Sequence, residues 1–267
     1  MNCRELLDAL IATADSAMTS LFIQDDGLFK NCDSILCGDP EREVKKAAVA
    51  MFPTHDVIKD AAEYGADLLI VHEPMYYNPW DSERPNRIAR IKEKFVVDSG
   101  LTVARFHDHA HARASDLIFD GEMRLLGLKG HTEERSYAHT TFVLDNPMTA
   151  IELAKLAEER LGAEHVRIAG CTDRLGTRIS CSFGAAGDVA EELENNDFYI
   201  CGEITEWCDG EIARDYAQFG CNKALIVLTH EVSERAGMML LTEELAQKYH
   251  NIEFKYLESG ALYKYTD

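Results

Sequence analysis

The sequence predicts an α/β protein with mixed, mostly parallel sheets. Three observations carry that expectation. Short continuous apolar runs, such as Leu68-Leu69-Ile70-Val71 and Leu225-Ile226-Val227-Leu228, are of the kind buried on both faces of a parallel sheet. Stretches of helical periodicity alternate with them, giving a βαβαβ order in the first half. A second unit with its own strands and helices begins near residue 131, and no Pro/Ser-rich linker, low-complexity tract or repeat separates the two. The units are therefore expected to be tightly joined.

Each element has its own local reason. The N-terminal MNCRELLDALIATADSAM reads as an amphipathic helix, because Leu6, Leu7, Leu10 and Ile11 recur at helical spacing. Its charges are scattered and it has no long apolar run, so neither a membrane span nor an export signal is expected. VKKAAVAMF (44–52) reads as a strand. HDVIKDAAEYG (55–65) is a helix closed by Gly65, a residue that suits a C-cap. ADLLIVHEP (66–74) is a buried strand, RIARIKEKFVVDSG (87–100) a helix ending at Gly100, and LTVARFHDHAH (101–111) a strand running into a polar loop.

In the second half, YAHTTFVLD (137–145) alternates as a strand, and TAIELAKLAEERLG (149–162) is an amphipathic helix closed by Gly162. HVRIAG (165–170), RISCSFG (178–184) and FYICG (198–202) are short strands, with GDVAEELENN (187–196) helical between the last two. EIARDYAQFG (211–220) is helical. KALIVLTHE (223–231) is a buried strand, SERAGMMLLTEELAQKYH (233–250) the last long helix, and IEFKYLES (252–259) a closing strand.

The 267 residues are 46% apolar and 28% charged, ordinary for a globular protein, but Lys+Arg is 27 against 47 Asp+Glu, a net charge of −20. Such a surface repels phosphate backbones and anionic lipids, so nucleic-acid and membrane partners are disfavoured. It favours a cation. The eight cysteines form no CxxC pair, which argues against a thiolate zinc site and fits the reducing cytoplasm. Cys201 and Cys208 could be reactive thiols, but buried inert ones are the simpler reading.

Three clusters fall at the carboxyl ends of predicted strands, where open α/β sheets place ligand sites. They are His72-Glu73-Pro74, then His107-Asp108-His109-Ala110-His111, then Thr229-His230-Glu231-Val232-Ser233-Glu234. Each mixes imidazole with carboxylate, a donor set that Zn²⁺, Fe²⁺, Mn²⁺ and Ni²⁺ accept. His230 and Glu234 are four apart, so one helical turn aims both at one point. Ser233 could cap that helix or hold a ligand. In HDHAH, an extended backbone would put His107, His109 and His111 on one face, with Asp108 opposite. Singly, each cluster could be a solvated loop or a cap. Placed at three separate strand ends, they favour a metal site. His55, His131, His139, His165 and His250 read as ordinary satisfied polar residues. Gly184, Gly187 and Asp188 form a glycine-rich turn that could hold a phosphate on backbone amides, though tight packing explains it as well. No GxSxG elbow or Walker loop occurs.

At these residues the chain resembles the Nif-three-like family of dinuclear-metal-centre proteins, a family also known as GTP cyclohydrolase type 2. ADLLIVHEP resembles its His-His-Pro strand end, FHDHAH its His-Thr-x-x-Asp motif and THEVSE its C-terminal Gly-His-x-x-Ser-Glu. GEMRLLGL (121–128) and FGAAGDVAEELENNDFYICGEITEW (183–207) resemble the segments between. The resemblance implies His72, His107, His230 and Glu234 as ligands, with Glu73 standing for the family's second histidine. His111 stands for its aspartate, with Asp108 and His109 as alternatives, and Trp207 replaces a histidine outside the core set. It implies two intertwined α/β domains, the first from 1–129 plus 228–267 with the ligands and the second from 130–227. It also implies a homo-hexamer and a pair of divalent ions per chain.

The chemistry expected is metal-assisted hydrolysis of a small nucleotide or phosphoester-like molecule, with Glu231 or Asp108 as a general base. The alternative is a non-catalytic protein that binds or stores metal, or a scaffold.

Overall fold

A computed structural model of the chain describes residues 1–20, 31–136 and 139–266. In chain order the first elements are α1 (Cys3–Ile11), α2 (Ser16–Thr19), β1 (Ser34–Cys37), β2 (Lys46–Ala50), α3 (His55–Tyr64), β3 (Leu68–Val71), α4 (Arg87–Ser99), β4 (Thr102–Arg105) and α5 (Asp108–His111). There follow α6 (Leu117–Leu126), β5 (Gly130–Arg135), β6 (Thr140–Thr149), α7 (Ala150–Leu161), β7 (Arg167–Gly170), β8 (Leu175–Ala185) and α8 (Val189–Asn195). The last are β9 (Phe198–Glu203), α9 (Glu211–Gln218), β10 (Ala224–Val227), α10 (His230–Lys248) and β11 (Glu253–Leu257), with a π-helical turn at Glu206–Gly210. The result is an α/β fold with two mixed sheets. Residues Met1–Leu117 and Gly237–Asp267 form one compact unit, and Ile118–Ala236 the other.

In the first unit the sheet order is β1-β4-β3-β2-β11. Strands β4, β3, β2 and β11 are mutually parallel, and β1 closes one edge antiparallel to β4. All four residues of β3 are fully buried, as a parallel strand covered on both faces requires. Val57, Ile58 and Ala61 of α3 and Ala89 and Val96 of α4 join Leu69, Val71 and Val103 in one core. The helix ends follow local chemistry. Asn2 and Glu5 make a capping box on α1, Thr54 caps α3, and Gly65 and Gly100 terminate α3 and α4 with left-handed backbones.

In the second unit the order is β5-β6-β8-β9-β10-β7. The centre, β8-β9-β10, is parallel; β6 and β7 flank it antiparallel, and β5 pairs antiparallel with β6 at the outer edge. Alternation along β9 and β10 divides the core. Phe198, Ile200 and Ile226 pack on the α7 face with Leu153 and Ala157, while Tyr199, Cys201, Leu225 and Val227 pack with Val189, Leu193 and Ala213 of α8 and α9. Thr149 and Glu152 make a capping box on α7, and Asp188 caps α8. The glycine-rich turn is thus a helix start, with the Gly187 amide donating to the Tyr199 hydroxyl at 2.8 Å.

Two expectations are corrected. The HDHAH segment is not extended; Asp108–His111 is a helical turn. The last helix begins at His230, three residues earlier than expected, so His230 lies inside α10 and Ser233 is no longer its first residue. Tyr137 and Ala138, in the strand expected over 137–145, lie outside the described residues. No helix among the described residues is long and apolar enough to cross a membrane.

Candidate metal centre

In the first unit the parallel strands β3 and β4 end side by side, and their carboxyl ends deliver His72 and His107. His72 is fully buried, and its amide and that of Glu73 both donate to the Met51 carbonyl, at 3.2 and 3.0 Å. The His72 and His107 rings stack at 4.4 Å between centroids. His111 meets both edge-on, at 5.1 and 5.0 Å. One ligand nitrogen from each of the three lies within 4.8 Å of the others. Glu73 is buried beside them, its Oε1 3.7 Å from His107 Nε2.

The helical turn selects among the HDHAH residues. It places His107 and His111, four apart, on one side. His109 turns the other way, its Nδ1 2.5 Å from Asp33 Oδ2. Asp33 also accepts the main-chain amides of His107 and His109, so its carboxylate caps the turn and holds it helical. Asp108 faces His107 and Cys32, with which it forms a second group of possible ligands. Its Oδ1 is 2.9 Å from His107 Nδ1, and its Oδ2 accepts the Cys32 amide at 2.7 Å. Burial works to raise the Asp108 carboxyl, but the His107 bond and charge, with the Cys32 amide, bring it down to about 2. Burial, then the neighbouring His107 and His111, hold His72 well below the usual imidazole range, which keeps it in the neutral form that binds metals.

In the second unit the parallel strands β8, β9 and β10 bring Gly184, Glu203 and His230 to one end of the sheet. Thr229 has a left-handed backbone (φ 96°) between β10 and α10. In the first turn of α10, His230 Nε2 lies 3.0 Å from Glu234 Oε2, and His230 Nδ1 lies 3.2 Å from Glu203 Oε1. Ser233 is not an N-cap. Its hydroxyl donates to the His230 carbonyl at 2.9 Å and accepts the Gly184 amide at 2.9 Å, tying β8 to the turn. Gly184 lies so close that a Cβ there would stand 2.4 Å from Glu234 Oε1 and 3.2 Å from His230 Nε2. Behind the turn, fully buried Glu122 accepts the Ala236 amide at 2.8 Å, and burial pushes its carboxyl well above the usual range.

The two carboxylates considered as bases are already engaged. Asp108 holds His107, and Glu231 is buried with Oε2 3.3 Å from Arg235. Cys201 is a fully buried core thiol pushed up by burial, and Trp207 is 81% exposed on the π-helical turn.

Sequence reasoning missed Asp33, Arg105, Asp116 and Glu203. Arg105 Nε donates to the His72 carbonyl at 2.9 Å, and Asp116 Oδ2 lies 2.9 Å from His111 Nδ1. Only Glu203 carried a signal, a carboxylate at the end of a buried strand.

The four candidate-ligand imidazoles are thus held at Nδ1: His72 by the Phe106 carbonyl at 3.1 Å, His107 by Asp108, His111 by Asp116 and His230 by Glu203. An acceptor at Nδ1 fixes the proton there and turns the Nε2 lone pair toward a ligand, the arrangement that metal-binding histidines use. Three imidazoles with a carboxylate in one unit, and an imidazole with a carboxylate in the other, fit a borderline divalent ion.

A family profile described as Duf34/NIF3 (NGG1p interacting factor 3) matches residues 29–260. The GTP cyclohydrolase 1 type 2 homolog of Clostridium perfringens is 23% identical over 230 residues, 82% of this chain and 85% of that protein. The protein of the same name from Pyrococcus horikoshii is 26% identical over 78% of this chain and 82% of its own length. The crystal structure of a Bacillus cereus protein related to NIF3 superposes with a TM-score of 0.76 over 100% of this chain and 99% of that one, at 12% identity. That likeness carries the fold.

Proposed function

The chain belongs to the Duf34/NIF3 family, and from that premise we propose that it binds divalent metal through His72, Glu73, His107, His111, His230 and Glu234 and acts as a metal-dependent hydrolase on a nucleotide or phosphoester-like small molecule. The observation that carries the metal reading is the common anchoring of four imidazoles at Nδ1. Zn²⁺, Fe²⁺, Mn²⁺ and Ni²⁺ suit the donors, with two ions per chain. The substrate class draws on the relatives' name, GTP cyclohydrolase 1 type 2 homolog, and on the attraction that bound cations exert on anionic oxygens within an otherwise acidic protein.

A bound divalent ion would supply Lewis acidity toward a substrate oxygen. The chain's own residues set the conditions. Asp108, Asp116, Glu203 and the Phe106 carbonyl orient the imidazoles. Burial around His72 and Glu234 excludes water from the ligand atoms. Assembly as a homo-hexamer belongs to the same proposal and is tested by sedimentation.

Elemental analysis of the purified chain, followed by turnover of nucleotides and phosphoesters by metal-loaded protein, tests the reading. Turnover that is abolished in His230→Ala and Glu234→Ala supports the hydrolase. Tight metal binding with no turnover on any substrate favours a storage or scaffold role. A chain that carries no metal and takes none up refutes both.

A further inference from the structure

Arg105 is a buried cation beside the ligand set, and the function proposed above makes no use of it. It lies on β4, two residues before His107, with its side chain 5% exposed. Its Nε donates to the His72 carbonyl at 2.9 Å and its Nη1 to the Pro79 carbonyl at 2.6 Å. Its Nη2 stands 3.7 Å from Glu73 Oε2. The other oxygen of the same carboxylate, Oε1, stands 3.7 Å from His107 Nε2. The second acid near the guanidinium, Asp81, is 4.0 Å from Nη1 and already accepts the amides of Met75 and Tyr76 at 3.1 and 2.6 Å. The two oxygens of Glu73 therefore face different groups.

We infer that Arg105 is a positioning residue that determines metal specificity: it retains one oxygen of Glu73, so the carboxylate offers a cation a single oxygen beside His107 Nε2. The inference rests on the reading of His72, Glu73 and His107 as ligands. The two carbonyl bonds fix the guanidinium plane, so Nη2 cannot follow the carboxylate if it swings. A guanidinium this deeply buried also needs its carboxylates, because an unpaired buried charge is costly. Ca²⁺ takes six to eight oxygens and readily uses both oxygens of a carboxylate. A small four-coordinate ion such as Zn²⁺ is content with one. Holding Oε2 on Arg105, and offsetting part of its charge, turns the site toward the smaller ions.

The test uses the full chain and its Arg105→Gln, Glu73→Gln and doubly substituted forms. Zn²⁺ and Ca²⁺ affinities are measured by competition titration, and coordination number by the visible absorption of Co²⁺-loaded protein. Arg105→Gln is expected to weaken Zn²⁺ binding roughly 10- to 100-fold, the scale for groups that orient a ligand. The Ca²⁺:Zn²⁺ affinity ratio should rise, and the Co²⁺ bands should weaken as coordination number increases. In the Glu73→Gln background the same change should alter Zn²⁺ affinity by less than about 3-fold, because the charged carboxylate that Arg105 orients is gone. Arg105→Lys keeps the charge without the fork and serves if the glutamine variant fails to fold. An equal loss in both backgrounds, or an unchanged Ca²⁺:Zn²⁺ ratio and Co²⁺ spectrum, overturns the inference and leaves the metal reading standing. Absence of metal binding by the unsubstituted chain overturns both.

Discussion

If His230 and Glu234 hold metal as proposed, replacing Gly184 with alanine should damage that binding more than it damages the fold. Its backbone is left-handed (φ +86°), which costs an L-residue about 1–2 kcal/mol. The added Cβ would stand 2.4 Å from Glu234 Oε1 and 2.9 Å from its Cδ, where ordinary contact begins at 3.4 Å. The carboxylate must therefore move by about 1 Å, and the Gly184 amide that braces Ser233 moves with the strand. A ligand displaced that far should weaken metal binding about 10- to 100-fold, or roughly 1.4–2.7 kcal/mol. Gly220→Ala is the matched control, because Gly220 also has a left-handed backbone (φ +84°) but nothing lies within 4 Å of its Cβ position. Both variants should lose similar stability from backbone strain in urea unfolding of the metal-free protein, with a further loss in Gly184→Ala from crowding. Only Gly184→Ala should lose metal affinity in a competition titration. Equal metal affinities for the two variants would refute the reasoning.

The remaining predictions concern the anchors, the buried acid and the metal. Asp33→Ala removes the acceptor of two amides and the His109 ring, and should destabilise the metal-free chain by about 3–5 kcal/mol in urea unfolding; a loss under 1 kcal/mol would mean the helical turn does not depend on it. Glu122 has a raised folded-state pKa, so its contribution to stability is present in full below the unfolded value near 4.5 and is lost as pH rises toward the folded value. Glu122→Gln, which keeps the acceptor for Ala236, should therefore gain stability over the unsubstituted chain as pH rises from 5 to 8, and parallel pH profiles would contradict this. Chelation of metal-loaded protein should lower its melting temperature, because an ion at 100 times its Kd stabilises the folded state by about 2.7 kcal/mol; an unchanged melting temperature after metal removal would argue against a site in the folded state.

Much of the architecture was legible because its causes are local. Gly65, Gly100 and Gly162 mark helix ends in the sequence and terminate helices in the structure, since only a residue without Cβ takes the left-handed turn freely. The apolar runs of β3 and β10 identify central parallel strands, and both are buried throughout. Sheet edges were harder to read. β5, GHTEER, is almost wholly exposed and carries no burial alternation, and β1 is paired on one side only.

The three strand-end clusters were likewise written in the sequence, but the choice within them was not. By itself the sequence determined that imidazoles and carboxylates lie at the ends of β3, β4 and β10, because strand burial and chain order are encoded in residues close together. Tertiary structure decided that HDHAH is a helical turn, that His111 faces His72 while His109 faces Asp33, and that Arg105 addresses Glu73. Those outcomes depend on partners such as Asp33, 74 and 76 residues from the amides it caps. A short polar segment has no strong preference between extended and helical backbone, so the distant carboxylate that accepts its amides settles which form it takes.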